Sequence, residues 1–214
     1  MSLTRRRFNQ LLLASGLGIA AAPNVLIGAE LVENRDWRAI TRPHSEAPEG
    51  QIELAKFFSY GCPFCGQLNR VMSPWLADLP EDVTYRRIPI SFNRGAWAHL
   101  ARLALALEET GLAAELDQAV FDAVGIDRKP LFTEAAIMDW LAAQGVDTDP
   151  FREVFNSANV RAQLARNDRL QARFGVNSVP TLVVDGRFVV VGEQARTFDD
   201  LLEIASQLID KARA

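Results

Sequence analysis

Phe57-Phe58-Ser59-Tyr60-Gly61-Cys62-Pro63-Phe64-Cys65 joins two kinds of chain. Before it, Gln51 to Tyr60 is a nearly unbroken apolar run that reads as a largely buried strand. After it, Leu68, Val71, Met72, Trp75, Leu76 and Leu79 recur at three- and four-residue spacing, the period of one helical face. Gly61 breaks the strand. Pro63 suits a first helical turn, where its missing N–H costs no intrahelical bond. Cys62 therefore stands at a predicted helix N-terminus, with Cys65 one turn further on and facing the same side.

Working outward, Pro74 lies inside the helical pattern and is expected to kink the helix or end its first part. Leu79-Pro80-Glu81-Asp82 reads as a turn and Val83 to Ile90 as a second strand, which makes a parallel βαβ unit. Residues 30–50 read as an irregular lead-in broken by Pro43, Pro48 and Gly50. Residues 93–174 read as helical. Trp97 to Leu107 comes first, then Leu112 to Val124 after Gly111. A third helix is capped by Thr133 and runs through Gln144 to a stop at Gly145. A short one is opened by Asp149-Pro150 over Phe151 to Asn156, and a last one is capped by Ser157 and runs to Phe174. In residues 175–214, Pro180 to Val184 and Phe188 to Val191 form a hairpin around Asp185-Gly186, followed by an amphipathic helix from Phe198 to Arg213. The order is βαβ, then a helical insertion, then ββα.

The chemistry rests on the only two cysteines. A thiolate is the reacting species in thiol–disulfide exchange. Unpaired N–H groups and the helix dipole favour negative charge at a helix N-terminus, so Cys62 is the expected attacker and Cys65 the resolving thiol. Pro63 fixes the backbone between them. A bridge across two residues closes too small a loop to be a useful staple, but it makes a good redox switch. Zinc is disfavoured: with His44 and His99 the only histidines, a four-ligand site would need both of them or carboxylates. No metal is expected, and no cofactor beyond the Cys62–Cys65 couple. Val179-Pro180-Thr181 taken alone reads as a trans proline at a strand edge.

Thr4-Arg5-Arg6-Arg7-Phe8, the apolar run Leu11 to Ala22 and a small-residue end at Ile27-Gly28-Ala29 read as an export signal over residues 1–29, against a membrane anchor as the alternative. The arginines resemble the twin-arginine export motif. Removing that segment takes away three arginines and no acid, so a formal charge of −4 becomes −7. Such a charge gives no footprint for nucleic acid. Export places the cysteines in a compartment that permits disulfides.

Three separate segments together resemble the DsbA family of bacterial periplasmic oxidases, within the thioredoxin superfamily. They are Phe57 to Cys65, the turn Leu79-Pro80-Glu81-Asp82-Val83, and Gly175-Val176-Asn177-Ser178-Val179-Pro180. The resemblance implies an α/β thioredoxin-type fold with a large helical insertion. It implies a periplasmic enzyme that donates disulfides to exported polypeptides with free cysteines and is reoxidised by a membrane quinone-linked partner of the DsbB type. It also implies a cis Pro180 facing Cys62, with the Val179 backbone pairing to an extended substrate segment. A reductase or isomerase of the same fold and a peptide-binding chaperone remain the alternatives. A monomer is the default, since no dimerisation segment is recognised.

Three positions depart from the family pattern. Phe64 stands where many members carry His, so it supplies no hydrogen bond to the thiolate. Lys56 lies where relatives place a buried acid, and Arg87 where some carry Lys. If both cations approach the sulfurs they lower the thiol pKa and oppose the loss of His; alternatively Lys56 snorkels to solvent. Tyr60 and Phe64 flank the cysteines and are expected to offer an apolar surface to unfolded partners, with a plain core position as the alternative for Tyr60.

Overall fold

Ile52–Phe58 (β2) is buried at all seven positions, because it is paired on both sides and covered on both faces. The computed structural model describes residues 30–214; the expected export segment, residues 1–29, lies outside the described residues. The sheet also contains β1 (Trp37–Ala39), β3 (Val83–Pro89), β4 (Thr181–Val184) and β5 (Phe188–Val190), in the spatial order β1-β5-β4-β2-β3. β2 runs parallel to β3 and antiparallel to β4. The first helix, α1 (Pro63–Ala77), crosses between β2 and β3 and completes the expected βαβ unit.

Between β3 and β4 come α2 (Gly95–Glu109), α3 (Ala113–Gly125), α4 (Glu134–Ala143), α5 (Thr148–Phe155) and α6 (Ala158–Arg173). The chain closes with α7 (Phe198–Arg213). Leu68 and Met72 of α1 pack with Leu202, Ala205 and Leu208 of α7 on one face of the sheet. Leu170 and Phe174, at the end of α6, pack with Ala55, Phe57 and Ile88 on the other. The last helix of the insertion thus serves as the second cover of the sheet. Leu100, Leu103, Leu107, Val120, Phe121 and Leu141 form a separate core between the remaining insertion helices, and that core also takes in Phe58 and Cys65.

Two expectations are corrected, and of the two outcomes expected at Pro74 one is excluded. The lead-in is not wholly irregular: β1 pairs antiparallel with β5, Trp37 opposite Val190. Three residues are too few to show a strand period, and the partner lies far along the chain. Pro74 does not end α1, which continues to Ala77. Pro74 is exposed, so the carbonyl it leaves unbonded can turn to water. The short helix starts two residues early, with Asp147 as its cap accepting from the Asp149 N–H at 3.2 Å. Pro150 then sits in the first turn, where an N–H is not needed. The other predicted caps hold: Thr133 accepts from Ala136 N–H, and Ser157 from Val160 N–H.

Candidate active site

The N-cap of α1 is Cys62, in extended conformation (φ −104, ψ 113), so its side chain lies at the end of the helix where N–H groups lack partners. The backbone enters through a tight turn: Cys62 N–H bonds Ser59 C=O at 3.0 Å, and Cys65 N–H bonds Cys62 C=O at 3.0 Å. Two glycines make the crowding tolerable. A Cβ at Gly61 would stand 2.8 Å from the indole nitrogen of Trp97, and one at Gly66 would stand 3.1 Å from Phe121 on α3. A helical glycine costs about 1 kcal/mol against alanine, and here close helix approach is the return.

The two thiols are unequal. The Cys62 thiol is pulled down to about 7, first by the Cys65 thiol donating to it and then, against burial, by the N–H groups of Cys65 and Phe64. Cys65 is fully buried, and burial, followed by the bond to Cys62 and its charge, pushes its thiol far upward. Among the described residues both cysteines are free thiols. Cys62 Sγ donates to the carbonyl of Val179 at 3.2 Å. The Val179–Pro180 peptide is cis, and both residues are half-buried beside Cys62. Pro63 and Phe64 are exposed, Phe64 at 62 %. A thiolate at the helix end, 8 % exposed and backed by a fully buried protonated thiol, can accept or attack a disulfide, and the second thiol can then resolve the mixed disulfide from within.

Behind Cys65 lies a buried polar network. Lys56 and Arg87 are register partners across β2 and β3, so they share a sheet face. Lys56 is completely buried and does not snorkel; its ammonium donates to Asn69 Oδ1 at 2.5 Å and lies 5.2 Å from the centroid of the Phe58 ring. Asn69 in turn donates to Gln118 at 3.0 Å. Arg87 is ion-paired with Asp117 and, at 3.2 Å, with Glu108. The two cations therefore divide. Lys56 acts on Cys65, lowering its thiol against the effect of burial, whereas Arg87 is engaged by the carboxylates. Neither is among the causes that lower Cys62.

Tyr60, expected on the substrate surface, is instead 1 % exposed and donates its hydroxyl to Asp117 at 2.6 Å. The turn after β2 that carries it directs the ring inward toward Phe58 and Phe121, with ring centroids 5.5 and 4.7 Å away. Asn69, Glu108 and Asp117 were not singled out from the sequence. Asp117 carries a signal that could have found it: an acid directly after Leu116 and one turn before Val120 and Phe121, three apolar residues that are buried.

Burial, then the charge of Arg87, lowers the Lys56 ammonium to about 8. The unfolded chain binds that proton more tightly, so the folding cost is whole below pH 8, shrinks as pH rises toward 10.5 and is gone above it. At 1.36 kcal/mol per unit the cost is about 3 kcal/mol, offset by about 1 kcal/mol once Asn69 loses its donor. Lys56→Met is thus expected to stabilise the reduced protein by about 2 kcal/mol at neutral pH, the gain crossing zero near pH 10 and becoming a loss of about 1 kcal/mol above pH 10.5. Urea unfolding of both proteins at each pH checks this, and an equal gain at both pH values would rule the account out.

This architecture is shared. The DSBA-like thioredoxin domain family matches residues 53–203. The thiol:disulfide interchange protein DsbA of Pseudomonas aeruginosa is 34% identical over 205 residues, covering 95% of this chain and 94% of its own. The DsbA of Azotobacter vinelandii is 32% identical over 191 residues, covering 89% and 86%. The crystal structure of Pseudomonas aeruginosa DsbA superposes with a TM-score of 0.80 at 31% identity, over 86% of this chain and 95% of that one. The oxidoreductase DsbA from Xylella fastidiosa gives 0.78 at 27%, over 86% and 98%. Likeness of this extent, across both the sheet and the helices inserted into it, means that the chain has a thioredoxin-type fold with a helical insertion, belongs to the DSBA-like thioredoxin domain family, and is a thiol:disulfide oxidoreductase.

Proposed function

We propose that the enzyme donates disulfides to exported proteins in the periplasm, with Cys62 and Cys65 as its reacting couple and no other cofactor. The observation that carries this reading is the inequality of the thiols, Cys62 lowered to about 7 and Cys65 buried and raised. A client thiol gives up its proton and attacks Cys62 of the oxidised couple as the thiolate, Cys65 leaves and takes up a proton, and a second client thiol, losing its own proton, displaces Cys62, which regains one in its thiol form. Client protein leaves with a disulfide and the enzyme with two thiols. Strand pairing to the Val179 backbone, beside Pro180, holds the client segment without reading its sequence. A quinone-linked membrane partner of the DsbB type then takes the electrons, and the enzyme acts as a monomer. The basic, apolar N-terminal segment supports delivery to that compartment.

Phe64 weakens the oxidising power without reversing it. Thiol pKa values in thioredoxin-type enzymes run from about 3.5 to about 7, and the low end belongs to a member of this same family. At neutral pH, a thiol near 7 stabilises the reduced form by about 4 kcal/mol less than one near 3.5, or about 90 mV. Taking about −120 mV for that strongest oxidant, the expected potential is about −210 mV. That still lies above the roughly −300 mV of structural disulfides in secreted proteins, so transfer to clients runs downhill. Equilibration against glutathione buffers tests it. A potential at or below about −270 mV would make the enzyme a reductase.

A further inference from the structure

The chain is acidic, yet its active-site end is lined by cations without partners. Arg94, Arg128, Lys129 and Arg196 have no carboxylate within 4 Å among the described residues, and their side chains donate no hydrogen bond there. Most other arginines of the fold are tied to a carboxylate or a carbonyl, as Arg70, Arg87 and Arg213 are. The four cations reach the Cys62 end by three separate routes. Arg94 caps α2 and stacks on Trp97 at 4.9 Å, and Trp97 in turn packs against Gly61, next to Cys62. Arg196 lines a cleft of about 430 Å³ together with Phe64. Arg128 and Lys129 follow α3, which packs antiparallel to α1: Gly66 meets Phe121, and Asn69 meets Gln118. The loop leaving α3 therefore lies at the Cys62 end, where Ile126 is 65 % exposed. The same loops carry Asp127 and Glu193 in opposition, and Asp200, in the first turn of α7, accepts from the backbone N–H groups of Arg196 and Thr197 and feels the Arg196 charge.

We infer that the enzyme selects client segments whose cysteine is flanked by acidic residues, with Arg94 as the chief specificity-determining residue. This rests on the reading that Cys62 exchanges with client polypeptides. Stacking on an indole face leaves the guanidinium edge free to donate and holds it in one orientation, so little freedom is lost on meeting a carboxylate. Backbone pairing at Val179 is indifferent to sequence; the cationic rim supplies the discrimination that it lacks. Cations on several loops at the Cys62 end also raise the encounter rate with an anionic segment.

The test uses the oxidised enzyme and two dithiol peptides identical except for Glu or Ser beside the cysteines. Enzyme disulfide and peptide dithiol become enzyme dithiol and peptide disulfide, followed by acid quenching and mass analysis. Acidic neighbours slow the peptide thiols by themselves, so the Glu/Ser rate ratio is normalised to the same peptides reacting with hydroxyethyl disulfide. The normalised ratio is expected to be about tenfold at low salt, to fall about threefold on removal of Arg94 and about 1.5-fold for each of the other three cations, and to approach unity in 0.5 M salt. Arg94→Glu and Arg196→Glu lie on separate loops that reach the Cys62 end independently, so both must lower it; one misfolded variant leaves the other as the test. A normalised ratio near unity overturns the inference, while measurable exchange with the Ser peptide keeps the underlying reading intact. If the variants instead lose binding to phosphatidylglycerol vesicles and show no peptide preference, the rim belongs to a lipid surface and the inference is wrong.

Discussion

Cys62→Ser is expected to reduce disulfide exchange below detection, whereas Cys65→Ser is expected to trap a stable mixed disulfide. With a thiol near 7, about half of Cys62 is ionised at neutral pH, against about 3% of an ordinary thiol near 8.5. A serine hydroxyl forms no comparable anion, and it forms no disulfide. Cys65 cannot take over, because it has no exposed surface and its thiol is pushed upward by burial. Once Cys62 is the only thiol able to react, nothing stands behind it to resolve the product. Incubation with glutathione disulfide and mass analysis separates the cases. A glutathione adduct on the Cys62→Ser protein would place the attack on Cys65 and invert the assignment. Alkylation of the wild type should rise through pH 7 with a single fast thiol, and a peptide that still binds Cys62→Ser without exchange would expose a separate holding role.

The largest loss of stability is expected from Asp117→Ala, about 3 kcal/mol. Asp117 is ion-paired with Arg87, accepts the Tyr60 hydroxyl at 2.6 Å, and lies near the Lys56 ammonium. Removing one partner of a buried ion pair costs about 3–5 kcal/mol, because the other charge stays behind without compensation. Glu108, 3.2 Å from Arg87, keeps the figure at the low end. The Tyr60 hydroxyl also loses its acceptor and adds to the cost. The sign of a second substitution distinguishes this account from simple cavity formation. Adding Lys56→Met to Asp117→Ala removes one of two cations left facing each other, so the double variant should recover more than Lys56→Met gains alone. Strict additivity in urea unfolding would mean that the charges are not coupled.

The catalytic segment was legible because local chemistry defines it. A strand, a glycine, a cysteine at a helix start and a first-turn proline are read from neighbours in sequence, and α7 falls where its spacing and caps put it. β1 was not legible, because three residues are ordered by a partner strand about 150 positions away. The site divides in the same way. Lys56 alternates with Leu54 and Phe58, so its place on the core face was written in the period of two. Its partners were hidden: Asn69 follows a core leucine on α1, and Asp117 and Glu108 arrive from inserted helices whose docking no local pattern reports. Tyr60 misled because nearness to Cys62 along the chain was taken for nearness to the substrate; one residue of turn separates the outward thiol from an inward ring.

The acids that neutralise Lys56 and Arg87 come from the insertion rather than from the sheet that carries the cations. Catalytic segment and insertion are therefore not interchangeable parts. A chimera that grafts this β2–Cys62–β3 segment onto a relative bearing an acid at the Lys56 position would meet helices suited to the opposite charge balance. The reverse graft would bring three carboxyl groups together under one thiol pair. Within the family, the residue six before the first cysteine and the inserted helices are expected to have changed hands together, as a lock is changed with its key.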